Sequence, residues 1–117
     1  MTLCLVKGTM YNLQTFAGDS GVLSIGNIPT DKPDYILYME IHGKEDVIKQ
    51  VSLNGSDNAT IEITTNDTTT LGVGQWPYGV KLCSNGEEDT YIPDLRVSPT
   101  ALFIINKEMA KGTTNGL

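Results

Sequence analysis

The chain has 117 residues, enough for one domain with its own core and too few for two of ordinary size. Asp and Glu number 14 against 8 Lys and Arg, a formal charge of −6. Such a surface repels phosphate backbones and anionic lipid, so neither nucleic acid nor membrane is expected as a partner. No stretch approaches the roughly 20 apolar residues of a membrane-spanning helix.

Gly, Asn and Thr are plentiful, and they suit strands and turns better than helices. The start, Met1 to Gly8, lacks a charged n-region and a long apolar run, and reads as having no signal peptide. The two cysteines, Cys4 and Cys83, could form one disulfide. Both stand among apolar neighbours in strand-like runs, which favours buried free thiols.

In chain order, Leu3 to Val6 predicts a short strand. Met10 to Ser20 is weaker and ends in a turn at Gly18–Gly21. Val22 to Ile25 predicts a strand; Pro29 and Pro33 make the next stretch a loop. Tyr35 to His42 predicts a strong strand. Tyr35, Leu37, Met39 and Ile41 share its core face, and Ile36, Tyr38, Glu40 and His42 share the other. Val47 to Leu53 should pair back against it, with Val47, Lys49, Val51 and Leu53 on one side.

Asn54-Gly55 supplies the positive φ of a tight hairpin turn. Ala59 to Thr65 follows as a strand with Ile61 and Ile63 inward. Asn66 to Leu71 breaks the alternation, and Asp67 is placed to cap a short helical turn. Gln75 to Cys83 alternates most regularly: Trp76, Tyr78, Val80 and Leu82 share one face. Pro77 predicts an edge position or a bulge there. Ser84-Asn85-Gly86-Glu87 is a second hairpin signal, with Asp89 to Ile92 as the returning strand. Ala101 to Ile105 is the last strand, and its unbroken apolar run predicts burial on both faces or an interface.

Seven or eight short, mostly antiparallel strands with turns at about ten-residue spacing predict an all-β fold. A small Ig-like β-sandwich fits best, with a small barrel as the alternative. Residues 1–107 read as one domain and 108–117 as a polar, flexible C-terminal tail.

Catalytic constellations are scarce. His42 is the single histidine, so a multi-histidine metal site is impossible. No Gly-x-Ser-x-Gly elbow occurs. Gly72-Val73-Gly74 precedes a strand, whereas a phosphate loop precedes a helix. Asp57-Asn58 and Glu87-Glu88-Asp89 lack the spacing of a calcium loop and read as solvated turns. Trp76 and Tyr78 could form a sugar platform, but Val80 and Leu82 continue their face, which favours core packing. No catalytic residue, metal or cofactor is expected, and the chain is not expected to be an enzyme.

One segment carries more. Thr68, Leu71, Gly74, Trp76, Tyr78, Val80 and Leu82, followed by Gly86 and Thr90, form a Thr-x-x-Leu-x-x-Gly, aromatic-x-aromatic, Val-x-Leu, Gly-hairpin, Thr pattern. It resembles the N-terminal β-sandwich domain of upper-baseplate proteins of siphophages of Gram-positive hosts, and related prophage tail proteins. Trp76 stands where that pattern more often has Tyr. Met10 to Thr30 lacks the pattern's long Asp- and Gly-rich strand pair, and the strand after Pro99 is extra.

The resemblance implies a phage or prophage virion structural protein, in the tail, baseplate or head decoration. Such a protein is made in the bacterial host cytoplasm and acts by protein–protein assembly, as a homo-oligomer and with other virion proteins. A carbohydrate- or host-receptor-binding module is the alternative. The expected interface is Ile36 and Tyr38 with Leu102, Phe103, Ile104 and Ile105, apolar residues left over if one face of each strand meets the core.

Overall fold

In the computed structural model, residues 4–5, 12–92 and 101–107 are described. Among these residues, nine strands and one short helix follow in order. They are β1 (Cys4–Leu5), β2 (Leu13–Phe16), β3 (Gly21–Ile25), β4 (Ile36–His42), β5 (Asp46–Ser52), β6 (Ala59–Ile63), α1 (Thr65–Leu71), β7 (Gly74–Ser84), β8 (Glu87–Ile92) and β9 (Leu102–Asn106). The fold is all-β and sandwich-like, as expected.

A small sheet runs β1-β3-β6, and a larger one runs β2-β9-β7-β4-β5 with β8 also paired to β7. Two pairings, β1 with β3 and β2 with β9, are parallel; the others are antiparallel. The weak signal of Met10 to Ser20 corresponds to β2. Its four residues, Leu-Gln-Thr-Phe, are too few for alternation to stand out, and it forms by joining the end of the chain through Leu13–Phe103 to Phe16–Asn106.

The core lies between the sheets. Leu37, Met39 and Ile41 from β4, and Tyr78, Val80 and Leu82 from β7, stand opposite one another in register and are buried. They meet Leu23, Ile25, Ile61 and Ile63 of the small sheet. Tyr78 packs edge-on against Phe103, with ring centroids 6.5 Å apart and planes at 87°, an arrangement favoured by the ring quadrupoles. The Tyr91 hydroxyl donates to the Gly26 carbonyl and ties β8 to the end of β3.

Helix α1 forms from residues that are poor helix formers. Its sequence, Thr-Asn-Asp-Thr-Thr-Thr-Leu, carries four β-branched threonines. Capping and burial overcome that preference. Thr64 is the N-cap: its hydroxyl accepts from the Asp67 N–H at 3.1 Å, while Asp67 accepts from the Thr64 N–H at 2.8 Å. Asp67 is therefore the third helical residue of a capping box, and not the cap expected from sequence. Leu71 and Thr68 are fully buried. Gly72 ends the helix at φ 83°, where glycine carries no Cβ penalty.

One turn reading needs correction, whereas Pro77 takes the edge position expected of it. Asn54 (φ 49°) and Gly55 (φ 82°) do form a tight turn, closed by the Ser56 N–H donating to Leu53 at 2.9 Å. The strands on either side belong to different sheets, so it is a crossing and not a hairpin. Pro77 lies in a strand paired on both sides for most of its length. The β4 ladder, however, ends at Ile41–Tyr78, so Pro77 pairs with β9 alone, at Leu102. The Tyr78 N–H points toward β9, donating to Ala101. By alternation the Pro77 nitrogen faces the side where the ladder has ended, and no bond is lost. A register shift does occur in β7, but at Val80–Lys81.

Candidate functional site

The pattern from Thr68 to Thr90 builds a hub around α1. The Thr68 hydroxyl accepts from the Gly18 N–H at 3.2 Å and lies 3.0 Å from the Asp19 carbonyl, fastening the β2–β3 turn to the helix. The Lys44 N–H donates to the Leu71 carbonyl at 3.1 Å, fastening the β4–β5 turn. Lys49 reaches from β5 to place its Nζ 2.6 Å from Asp67 Oδ2. Burial pushes the Asp67 pKa up, but the hydrogen bonds from Lys49 and Thr64 outweigh it, and the carboxyl titrates below its ordinary value.

Trp76 lies half-buried against the core, and its indole N–H donates to the Gly72 carbonyl at 2.8 Å. Its ring passes over Gly74, where a Cβ would stand 2.6 Å from Trp76 Cζ2. Of the pattern residues, Leu71, Tyr78, Val80 and Leu82 are core. Gly86 is exposed and gives the β7–β8 hairpin its positive φ of 85°, next to Asn85 at 49°. Thr90 is exposed too, and Tyr91 beside it is buried. Tyr78 is 0% exposed, so Trp76 and Tyr78 do not form an aromatic platform.

The remaining surface of interest is the outer face of the large sheet. Register places side chains in rows across it: Ser52, Ile36, Cys83 and Glu88 in one, Gln50, Tyr38 and Lys81 in the next, Ile48 and Glu40 in a third. Ile36 and Tyr38 are half-buried here. The expected interface is divided by the β9 alternation. Phe103 and Ile105 point into the core at 0% and 1% exposure and do not belong to a surface. Leu102 and Ile104 are half-buried on the outer face, opposite Pro77 and Gln75. They lie four or more residues along β7 from the rows holding Ile36 and Tyr38.

The sequence reading missed Ile48, which is 62% exposed on β5. The signal was present: Asp46, Ile48, Gln50 and Ser52 share one face, and Ile48 is its apolar exception.

Ile36, Tyr38, Ile48 and Cys83 floor an open groove of about 500 Å³, closed at one end by the Ser84–Gly86 turn. Asp34, Glu40 and Glu88 rim it, with Lys81 among them. Lys81 Nζ stands 3.8 Å from Glu40 and 3.6 Å from Glu88. The Ser84 hydroxyl donates to Asp34 at 2.8 Å. Cys83 is a free thiol, but half-buried in this groove and not in the core. Desolvation first, and the Glu88 charge second, push its pKa up. The side chain of Cys4, Lys7 to Thr9 and the tail 108–117 lie outside the described residues.

His42 Nδ1 stands 3.3 Å from Asp46 Oδ2, an i,i+4 contact across the β4–β5 turn. Among the described residues, no group of three or more His, Cys, Asp or Glu is placed to hold a metal ion. None of their helices is long and apolar enough to cross a membrane.

No protein-family profile matches the chain, and no curated protein matches it. One solved structure to which it is similar is the N-terminal domain of phage TP901-1 ORF48. The identity is 13%, the TM-score is 0.43, and the match covers 92% of this chain and 95% of that one.

Proposed function

We propose that the chain is a non-enzymatic structural protein of a phage or prophage virion, in the tail, baseplate or head decoration, working by protein–protein assembly. What supports this is the Thr68–Thr90 pattern. Thr68, Leu71, Gly74, Trp76, Tyr78, Val80 and Leu82 are not scattered matches. They are one packed unit that holds two turns, a helix and both sheets together. The residues that carry the resemblance are thus those that specify the domain, and its partners meet the faces that remain.

The assembly surface is the outer face of the large sheet, with Ile36, Tyr38, Leu102 and Ile104 as its apolar contacts. The chain assembles as a homo-oligomer and joins other virion proteins. Two measurements test this. Light scattering after size exclusion should give a defined oligomer, and mass spectrometry of particles purified from an induced host should find the chain. A strict monomer at high concentration that is missing from the particles would overturn the proposal.

A further inference from the structure

We propose that the groove beside the β7–β8 turn is a docking site for a basic, apolar-bearing segment of a partner protein. It deepens the assembly reading above and rests on it for the existence of a partner. The floor is apolar and open: Ile48 is 62% exposed, with Ile36 and Tyr38 beside it. An apolar side chain seated there would remove from water a surface that the fold leaves uncovered.

The rim sets the sign of the partner. Asp34, Glu40 and Glu88 surround the floor against one ammonium, that of Lys81. Its distances of 3.6 and 3.8 Å to two of them are too long for charge-assisted hydrogen bonds, which lie at about 2.7–2.9 Å. Glu40 and Glu88 therefore keep oxygens to offer to an incoming guanidinium or ammonium. The chain's own charge of −6 makes a basic partner the complementary one. Two or three residues of a segment fit, with Leu or another apolar side chain on the floor and Arg or Lys on the rim.

The test is a titration of the isotope-labelled full chain, followed by amide chemical shifts. Three capped peptides serve as probes: Arg-Leu-Arg-Leu, Arg-Gly-Arg-Gly and Glu-Leu-Glu-Leu. The first should give saturable shifts confined to β4, β5, β7 and β8 around the groove, and the other two should not. Glu40→Gln with Glu88→Gln should weaken the first peptide roughly two- to thirtyfold, the range for two exposed ion pairs. Ile48→Ser should weaken it as well, with the spectrum still dispersed.

Equal shifts from Arg-Gly-Arg-Gly, or shifts elsewhere on the molecule, would overturn the site. The same shifts from calcium chloride alone would overturn it too, making the rim a cation site. Particle incorporation without peptide binding would remove the groove and leave the assembly reading. Saturable peptide binding by a chain absent from particles would do the reverse.

Discussion

Gly74 shows how one missing methyl group sets the position of a large side chain. A Cβ there would meet the Trp76 ring at 2.6 Å, and the backbone φ of 155° disfavours any other residue. Gly74→Ala should cost about 1–3 kcal/mol, the range for overpacking a tight site. Because Trp76 is the single tryptophan, its emission should shift red as the indole loses its seat, and urea denaturation should give the stability change. Asp67 is the second such residue. It accepts from Lys49 and from the Thr64 N–H, so Asp67→Ala should destabilise by about 1–3 kcal/mol, the cost of a lost cap and ion pair at a buried site. Its folded pKa lies below the unfolded value near 3.8. The stabilisation is therefore fully present above that value and is lost as pH falls through the folded pKa. The stability gap between wild type and Asp67→Asn should be widest at neutral pH and close below about pH 4. A constant gap down to acid unfolding would show that Asp67 acts without its charge. Sequence alone pointed to Asp67 as a capping residue, because Asp near a helix start accepts backbone N–H groups. Its place in the capping box depends on which residue precedes the first turn, and here Thr64 takes that role.

At the scale of elements, the turns were the most legible feature. Asn85-Gly86 makes the β7–β8 hairpin because only a few residues adopt positive φ at low cost, and that preference is local. Gly86→Ala should cost about 1–2 kcal/mol, the left-handed penalty for a residue with a Cβ. Nothing lies within 4 Å of the added methyl, so crowding contributes no part of that loss. A thermal melt of the variant measures it; an unchanged midpoint would mean the hairpin tolerates a different turn. Asn54-Gly55 carries the same local signal, yet it joins strands of different sheets. A turn dictates the local reversal, and the partners on either side are chosen by hydrophobic burial. Helix α1 is the converse case. Four threonines argue against it locally, and the contacts of Thr68, Leu71 and Asp67 with three other segments make it helical.

For the molecule as a whole, the β9 alternation separates stability from association. Phe103 is fully buried against Tyr78, and Phe103→Ala should cost about 3–5 kcal/mol, a large share of the stability of a domain this size. Ile104, its neighbour, lies on the outer face. Ile104→Ser should change stability by less than about 1 kcal/mol while lowering the oligomer fraction in sedimentation analysis. Loss of oligomer with Phe103→Ala and none with Ile104→Ser would place the contact elsewhere. The sequence by itself determined the all-β class, seven of the longer elements and the inward faces of β4, β6 and β7. Each of these depends on alternation or turn chemistry within a few residues. It also carried the Thr68–Thr90 pattern that the functional proposal starts from. Only the tertiary structure decided the rest: the extent of the short strand β2, the capping box of the helix at Thr64, and the sorting of Leu102 to Ile105 into core and surface. It also brought Ile36, Tyr38, Ile48, Lys81 and Glu88 into one groove. Those outcomes depend on which distant segment lies alongside. Strand register places residues 40 or more positions apart in one row, and no local signal reports it.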